Sequence, residues 1–256
     1  MNRELIYRLL PLILLVVWHV AAEVISSPYI PSPVSVALSL VRLTLVGDPN
    51  GYSLLLHMAA SSYRVLLGLA AAITSGVILG IAMGLNKTAM LVLSPIIEAL
   101  RPVPPIAWIP IVIFAFGSGL KSHVIMVWIA SFFPILTSCV DGVKGIDHAY
   151  YDTAKLLNLK GLRLVRLVVL PGALPSILTG LKVSVGVGWM VIIASEMVGV
   201  RKPLGLGFLA LYMKDLGLMP ELLATVAAIG LSAKLMSFAV RLVEKRILAW
   251  RRAPSS

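Results

Sequence analysis

The residues of this sequence that are equipped for chemistry are few and dispersed. Its histidines, His19, His57, His123 and His148, stand far apart. With the single cysteine, Cys139, they make no cluster of metal-ligand spacing. One cysteine also excludes an intrachain disulfide. No run of G-x-x-x-x-G-K followed by Ser or Thr occurs, so the chain carries no phosphate loop. No Ser/His/Asp set falls at one depth. What remains is charge in unusual places. Glu98, Arg101, Lys182, Glu196 and Lys234 fall inside apolar stretches, where ionisable groups are costly and mark ion or solute handling. The densest charged run between two apolar segments is DHAYYDTAKLLNLKGLRLVRLVVLP, residues 147–171.

That run reads as two short helices exposed to water. Asp147 can cap a helix, its carboxylate accepting from an orphan backbone N–H. Tyr150, Ala154 and Leu157 then share one helical face. Gly161 permits a break. A second helical run reaches Leu170, and Pro171 disfavours continuation beyond it.

The elements holding these charges are membrane spans. Of 256 residues, 59% are hydrophobic and 13% charged, and the mean hydropathy is +0.98. A bilayer core takes roughly 20 apolar residues per helix, so the expected fold is all-α and polytopic, with about six transmembrane helices. The alternating ten-residue pattern of a membrane β-barrel is missing. The net charge of +11 sits at span ends and loops. It therefore points to topology and anionic lipid headgroups, not nucleic acid.

The first apolar segment is 5–24. A removable signal peptide is the alternative for it, given Ala21 and Ala22. Residues 25–55 open with prolines, carry a short amphipathic helix, and contain the turn GDPNG at 47–51. The second span, about 60–85, has Gly68, Gly76, Gly80 and Gly84 at multiples of four, a spacing that lets helices approach closely. The third, about 90–117, is broken by Pro95, Pro102, Pro104, Pro105 and Pro110. Its freed carbonyls need protein or water. Glu98 and Arg101 lie three apart on one face of it. The fourth span is about 123–142. After the charged run the fifth is 174–200, its middle thinned by Ser184, Gly186, Gly188 and Trp189, the expected pathway wall. Residues 201–219 read as a loop, and the last span is about 220–243. The expected division is 1–59 for the first span and external loop, 60–245 for the core, and 246–256 for a basic cytoplasmic tail. Most Lys and Arg residues then fall on the side of the charged run, with both termini inside.

Several of these motifs resemble those of permease subunits of ATP-binding-cassette importers. The family carries E-A-A, three residues, G, nine residues, then I-x-L-P. Here Asp152-Thr153-Ala154, Asn158 and Val168-Val169-Leu170-Pro171 hold that spacing. Thr153 and Asn158 depart from the pattern. RPVPPIAWIP at 101–110 looks like the "RPiPplAwiPl" of the nitrate, sulfonate and taurine branch. ASEMVG around Glu196 and PLGLGFL at 203–209 are similar to "aAEmlg" and "sGLGyli".

The resemblance implies a coupling loop built from Asp152, Thr153, Ala154, Leu157, Asn158, Gly161, Leu170 and Pro171. It implies pathway or gate candidates Glu98, Arg101, Lys182, Ser184, Gly188, Trp189 and Glu196. Contacts to a binding protein would fall on Lys121, Arg201, Lys202, Gly205 and Gly207. The implied partners are a second copy of the permease, two ATP-binding subunits, an extracytoplasmic solute-binding protein and the lipid bilayer of a prokaryotic cell membrane. This chain itself would hold no cofactor and no metal; ATP and Mg would bind the partner ATPase. The implied cargo is nitrate, a sulfonate such as taurine, bicarbonate or a vitamin precursor. An ion-coupled secondary transporter or channel, using Glu98, Glu196, Lys182 and Lys234, is the alternative. It gives no account of the spacing from Asp152 to Pro171, and no inverted repeat supports it.

Overall fold

A computed structural model describes residues 3–198 and 204–249, with side chains from Leu9 onward. It is helical, with no strand among the described residues. In chain order the helices are α1 (Arg3–Ile25), α2 (Pro33–Leu45), α3 (Leu54–Leu85), α4 (Lys87–Leu100), α5 (Ile109–Phe116) and α6 (Leu120–Lys144). There follow α7 (His148–Leu156), α8 (Gly161–Leu164), α9 (Leu170–Glu196), α10 (Leu206–Asp215) and α11 (Met219–Ile247). Among the described residues, 4 helices or fused helix runs are long and apolar enough to cross a bilayer: α3, α6, the run Gly161–Glu196, and α11. A fifth is available if α4 and the Pro105–Phe116 segment, bent by 87°, count as one broken span. The bend falls where prolines 102, 104 and 105 remove the N–H groups that a continuous helix needs.

Two compact units divide the chain, with boundaries inside α3 and α11. The first joins Met1–Ser61 to Lys202–Ser232. There Ser32 caps α2, accepting from the Ser35 N–H. Residues 47–52 form a tight turn in which Asp48 Oδ1 accepts from the N–H groups of Asn50 and Tyr52, at 3.0 and 2.8 Å. Gly47 and Gly51 take φ of +94° and +84° there, the region glycine enters without strain. Residues 206–215, read as loop, form helix α10. Its buried side chains Leu206, Leu209, Ala210 and Met213 explain the difference, because tertiary burial stabilises a helix too short to persist alone.

The second unit, Ser62–Arg201 with Ala233–Ser256, is built on α6. Helix α3 runs parallel to it. A Cβ placed on Gly68, Gly80 or Gly84 would fall within 2.6 Å of Val127, Cys139 or Val143, and on Gly76 within 3.1 Å of Ile135. Every partner lies fifty-nine positions further on, so the glycine stripe packs within the subunit along one straight seam. Helix α9 packs antiparallel on α6 as well. Gly142 of α6 faces Ala173 and Ser176, while Gly180 of α9 faces Pro134 and Ser138. Ser184 Oγ donates to the Ser131 carbonyl at 2.9 Å, joining the two helices by a polar bond in an apolar interface.

The chain does not stop at Pro171. A π-helical turn, Val165–Val169, passes α8 into α9 without interruption. The Leu170 N–H bonds back five residues to Val165. This widened turn carries the chain past Pro171, which then sits in the first turn of α9, where its missing N–H costs little.

Candidate functional site

Between α6 and α9 the charged run folds as a helix, a break and a helix. Asp147 Oδ1 accepts from the Ala149 N–H at 2.9 Å, capping α7 as its residue type predicts. The far end of α7 closes with paired reverse bonds: the Leu159 N–H to the Ala154 carbonyl at 2.8 Å, and the Asn158 N–H to the Lys155 carbonyl at 2.9 Å. This closure needs a left-handed residue, and Asn158 supplies it with φ of +54°. Asparagine enters that region more cheaply than most residues, so it can stand where the family pattern has glycine. Gly161 also takes φ of +54° and starts α8.

The face of α7 differs from the expected one. Tyr150 and Leu157 are each 66% exposed, whereas Ala154 is 2% exposed, buried by the chain's own fold. Ala154 is therefore a packing residue on the inner side of the loop. What stands out toward solvent is Leu156, Leu157 and Leu162, at 88, 66 and 81%. Tyr151 anchors α7 to the end of α6, its hydroxyl donating to the Val143 carbonyl at 3.3 Å, and burial raises its phenol pKa. Asp152 is exposed. Lys155, donating to it at 2.9 Å, holds its carboxyl below the usual range. Thr153 Oγ1 donates back to the Ala149 carbonyl, leaving α7 regular. Leu170 and Pro171 lie in the first turn of α9. Gly145, Asp147, Tyr150, Leu167 and Pro171 line a cavity of about 480 Å³.

At the opposite end of the same helices lies a buried ion pair. Arg64 Nη1 of α3 donates to Glu196 Oε1 of α9 at 2.6 Å, with side-chain exposures of 12 and 1%. His123 Nδ1 lies 3.1 Å from Ser195 Oγ beside it. Lys182 pairs with Glu244 of α11 at 2.8 Å. Trp189 Nε1 donates to Met236 Sδ.

The middle of α9 presents a different face from the expected wall. Ser184, Gly188 and Trp189 are buried in helix packing: Ser184 against Ser131, Gly188 near Ser131 and Val127, and Trp189 against Met236. The cavity-lining positions are instead Val183 and Val187. Glu98 and Arg101 stand at the end of α4, beside the helix break. With Ser94, Thr137, Asp141 and Lys144 they line a cavity of about 160 Å³. Arg101 and Thr137 also line a second cavity, of about 380 Å³. Thr137, Ser138, Asp141 and Lys144 were not among the expected site residues, although Thr137, Asp141 and Lys144 fall at i, i+4 and i+7 of one helix face, a spacing that could have found them.

Of the expected binding-protein contacts, Lys121 is exposed, and Arg201 and Lys202 lie outside the described residues. Gly205 and Gly207 are buried, so neither offers a surface. The Gly205 N–H lies 3.0 Å from His57 Nδ1, and the Leu206 N–H donates to Ser61 Oγ at 2.9 Å. His57 Nε2 in turn stands 3.6 Å from Asp48 Oδ2, both side chains fully buried. Gly205 and Leu206 therefore start α10 against His57 and Ser61 of α3, with His57 lying next to Asp48 of the 47–52 turn, which is a structural role.

Comparison with known proteins follows the same lines. Residues 72–249 match the family model described as binding-protein-dependent transport system inner membrane component. The chain is 36% identical to the taurine transport system permease protein of Escherichia coli (strain K12), over 93% of this chain and 86% of that one. It is 32% identical to a nitrate import permease protein of Leptolyngbya laminosa, over 79% and 72%. Among solved structures, the crystal structure of an amino acid ABC transporter with histidines superposes with a TM-score of 0.61. It covers 82% of this chain and 97% of that one, at 19% identity, a likeness of fold.

Proposed function

The chain belongs to the family of binding-protein-dependent transport system inner membrane components, and on that premise we propose that it pairs with a second copy and two ATP-binding subunits. It is a transport permease of an ATP-driven importer and not itself an enzyme. With the family established, the ion-coupled alternative falls away. ATP and Mg bind the partner ATPase, and an extracytoplasmic solute-binding protein delivers the cargo. The cargo is a small anion or organic solute, such as a sulfonate, nitrate or bicarbonate. The similarity to taurine and nitrate permeases supports that range.

The observation that carries the mechanism is the exposed leucine cluster of α7 and α8. Leu156 and Leu157 project from the charged loop outside the spans, and Leu162 stands at the loop end of the Gly161–Glu196 run, where water-exposed leucines need a partner. They dock in a groove of the ATPase, and Asn158 and Asp147 keep α7 rigid enough to transmit force. Because α9 continues unbroken from the loop to Glu196, a push on α8 moves the whole of α9. Closure of the ATPases then rocks the spans between inward- and outward-facing states. The loop faces the cytoplasm, as do both termini, and the Arg64–Glu196 pair lies at the outer end. The broken α4–α5 segment and α1 complete six spans. The experiment is ATP hydrolysis and uptake by the purified chain with and without its ATP-binding subunit. The chain alone hydrolyses nothing, and hydrolysis by the lone, uncontaminated chain contradicts the assignment.

A further inference from the structure

We propose that the cavity beside the α4–α5 break is a mid-membrane oxyanion site in which Arg101 is the recognition residue. This rests on the importer reading and adds the place where the cargo is held.

The cavity, about 380 Å³, is bounded by Arg101, Phe133, Thr137, Ser138, Val183 and Val187 among others. Its α6 wall comes from positions 129–138 and its α9 wall from Val183 and Val187, inside both helices and not at their ends. Arg101 is the one ionisable side chain in its lining. Among the described residues, no carboxylate stands within ion-pair distance of the Arg101 guanidinium, although Arg64 and Lys182 in the same unit are both paired. Arg101 is itself exposed, open to the cavity, and an arginine held between spans without a counter-ion gains from an anion beside it. A guanidinium matches a planar or tetrahedral oxyanion through two parallel N–H donors. Ser138 adds a hydroxyl that can donate to a remaining oxygen; the Thr137 hydroxyl, which donates to the Phe133 carbonyl at 2.9 Å, can do so only by giving up that bond.

The neighbouring cavity, of about 160 Å³, shares Arg101 and Thr137 but carries Glu98, Asp141 and Lys144 as well. Its charges balance, so an anion gains less there. Its lining reaches the loop-side end of α6, where Asp141 and Lys144 lie. The arrangement therefore holds an oxyanion at Arg101 and lets it leave past carboxylates that do not retain it. Taurine, a sulfonate, and nitrate both present such an oxyanion.

The site is tested on the full chain in nanodiscs, with Cys139→Ser and Ser138→Cys, by the rate at which a small neutral thiol reagent modifies position 138. Methanesulfonate and nitrate are the probes, acetamide is the neutral control, and gluconate holds the ionic strength. Both anions are expected to slow labelling saturably while acetamide does not. Arg101→Gln is expected to raise the half-protecting concentration by about tenfold or more, the size of a lost charge-assisted pair, and Arg101→Lys by less. The native-arginine arm stands even if the glutamine variant fails to fold. Absent protection, equal protection by acetamide, or protection that depends only on anionic lipid in the nanodisc would overturn the site. Uptake of taurine and nitrate by the assembled transporter separates the two claims. Uptake without protection overturns the site alone, and loss of both overturns the anion-importer reading with it.

Discussion

Arg64 on α3 and Glu196 on α9 meet at 2.6 Å with almost no exposure of the carboxylate, tying two spans together at the end opposite the α7 loop. Removing one member of a buried pair strands the other's charge, at a cost of about 3–5 kcal/mol, while replacing both by apolar residues is often close to neutral. Glu196→Gln is therefore expected to lower the thermal unfolding midpoint sharply. The double variant Arg64→Met with Glu196→Leu should recover most of the loss. Additive losses in that cycle would show that the two residues are not coupled.

The seam between α3 and α6 leaves no room for a methyl group. A Cβ on Gly68 would lie 2.5 Å from Val127 Cβ, whereas one on Gly186 of α9 meets nothing within 4 Å. Gly68→Ala is expected to destabilise by about 1–3 kcal/mol through overpacking, with partial rescue by Val127→Ala. Gly186→Ala should leave the midpoint unchanged. Equal midpoints for the two alanine variants, read by thermal unfolding in detergent, would mean that the seam is looser than described.

Asn158 closes α7 in a left-handed conformation. Asn158→Gly is expected to be neutral or slightly stabilising. Asn158→Val should cost about 1–2 kcal/mol, since a β-branched residue is penalised there. Hydrogen exchange at the Leu159 amide, which bonds to the Ala154 carbonyl, reports the closure directly. Faster exchange in the valine variant alone is the expected pattern, and identical rates in all three would contradict it.

Much of this was legible in the sequence wherever local rules decide. Asp147 as a cap, Asn158 as a left-handed stand-in for glycine, the glycine stripe of α3 and the proline break at 102–105 all follow from single residues or fixed spacings. What escaped depends on partners distant in sequence. Pro171 failed to end its helix because a π turn upstream absorbs it. Helix α10 forms because its apolar side chains are buried. Ala154 turned out to face its own chain, so substituting it disturbs folding and docking together, and the exposed leucines are the cleaner probe. Ser184, Gly188 and Trp189, expected to form a wall, lie on the packed face of α9, since helical phase relative to neighbours is a tertiary property.

The central claim is that the α7 loop is the docking element for the ATPase. Its most direct test is retention of the co-expressed ATP-binding subunit on the immobilised full-length chain, comparing wild type with the variant Leu156→Asp, Leu157→Asp. Two charges on a water-exposed apolar patch leave the permease folded, by size exclusion, while removing its docking surface. Retention is predicted to fall by about tenfold or more, as expected for loss of two buried leucines from an interface, and transport should fall with it. Wild-type retention and uptake by a well-folded double variant would contradict the account.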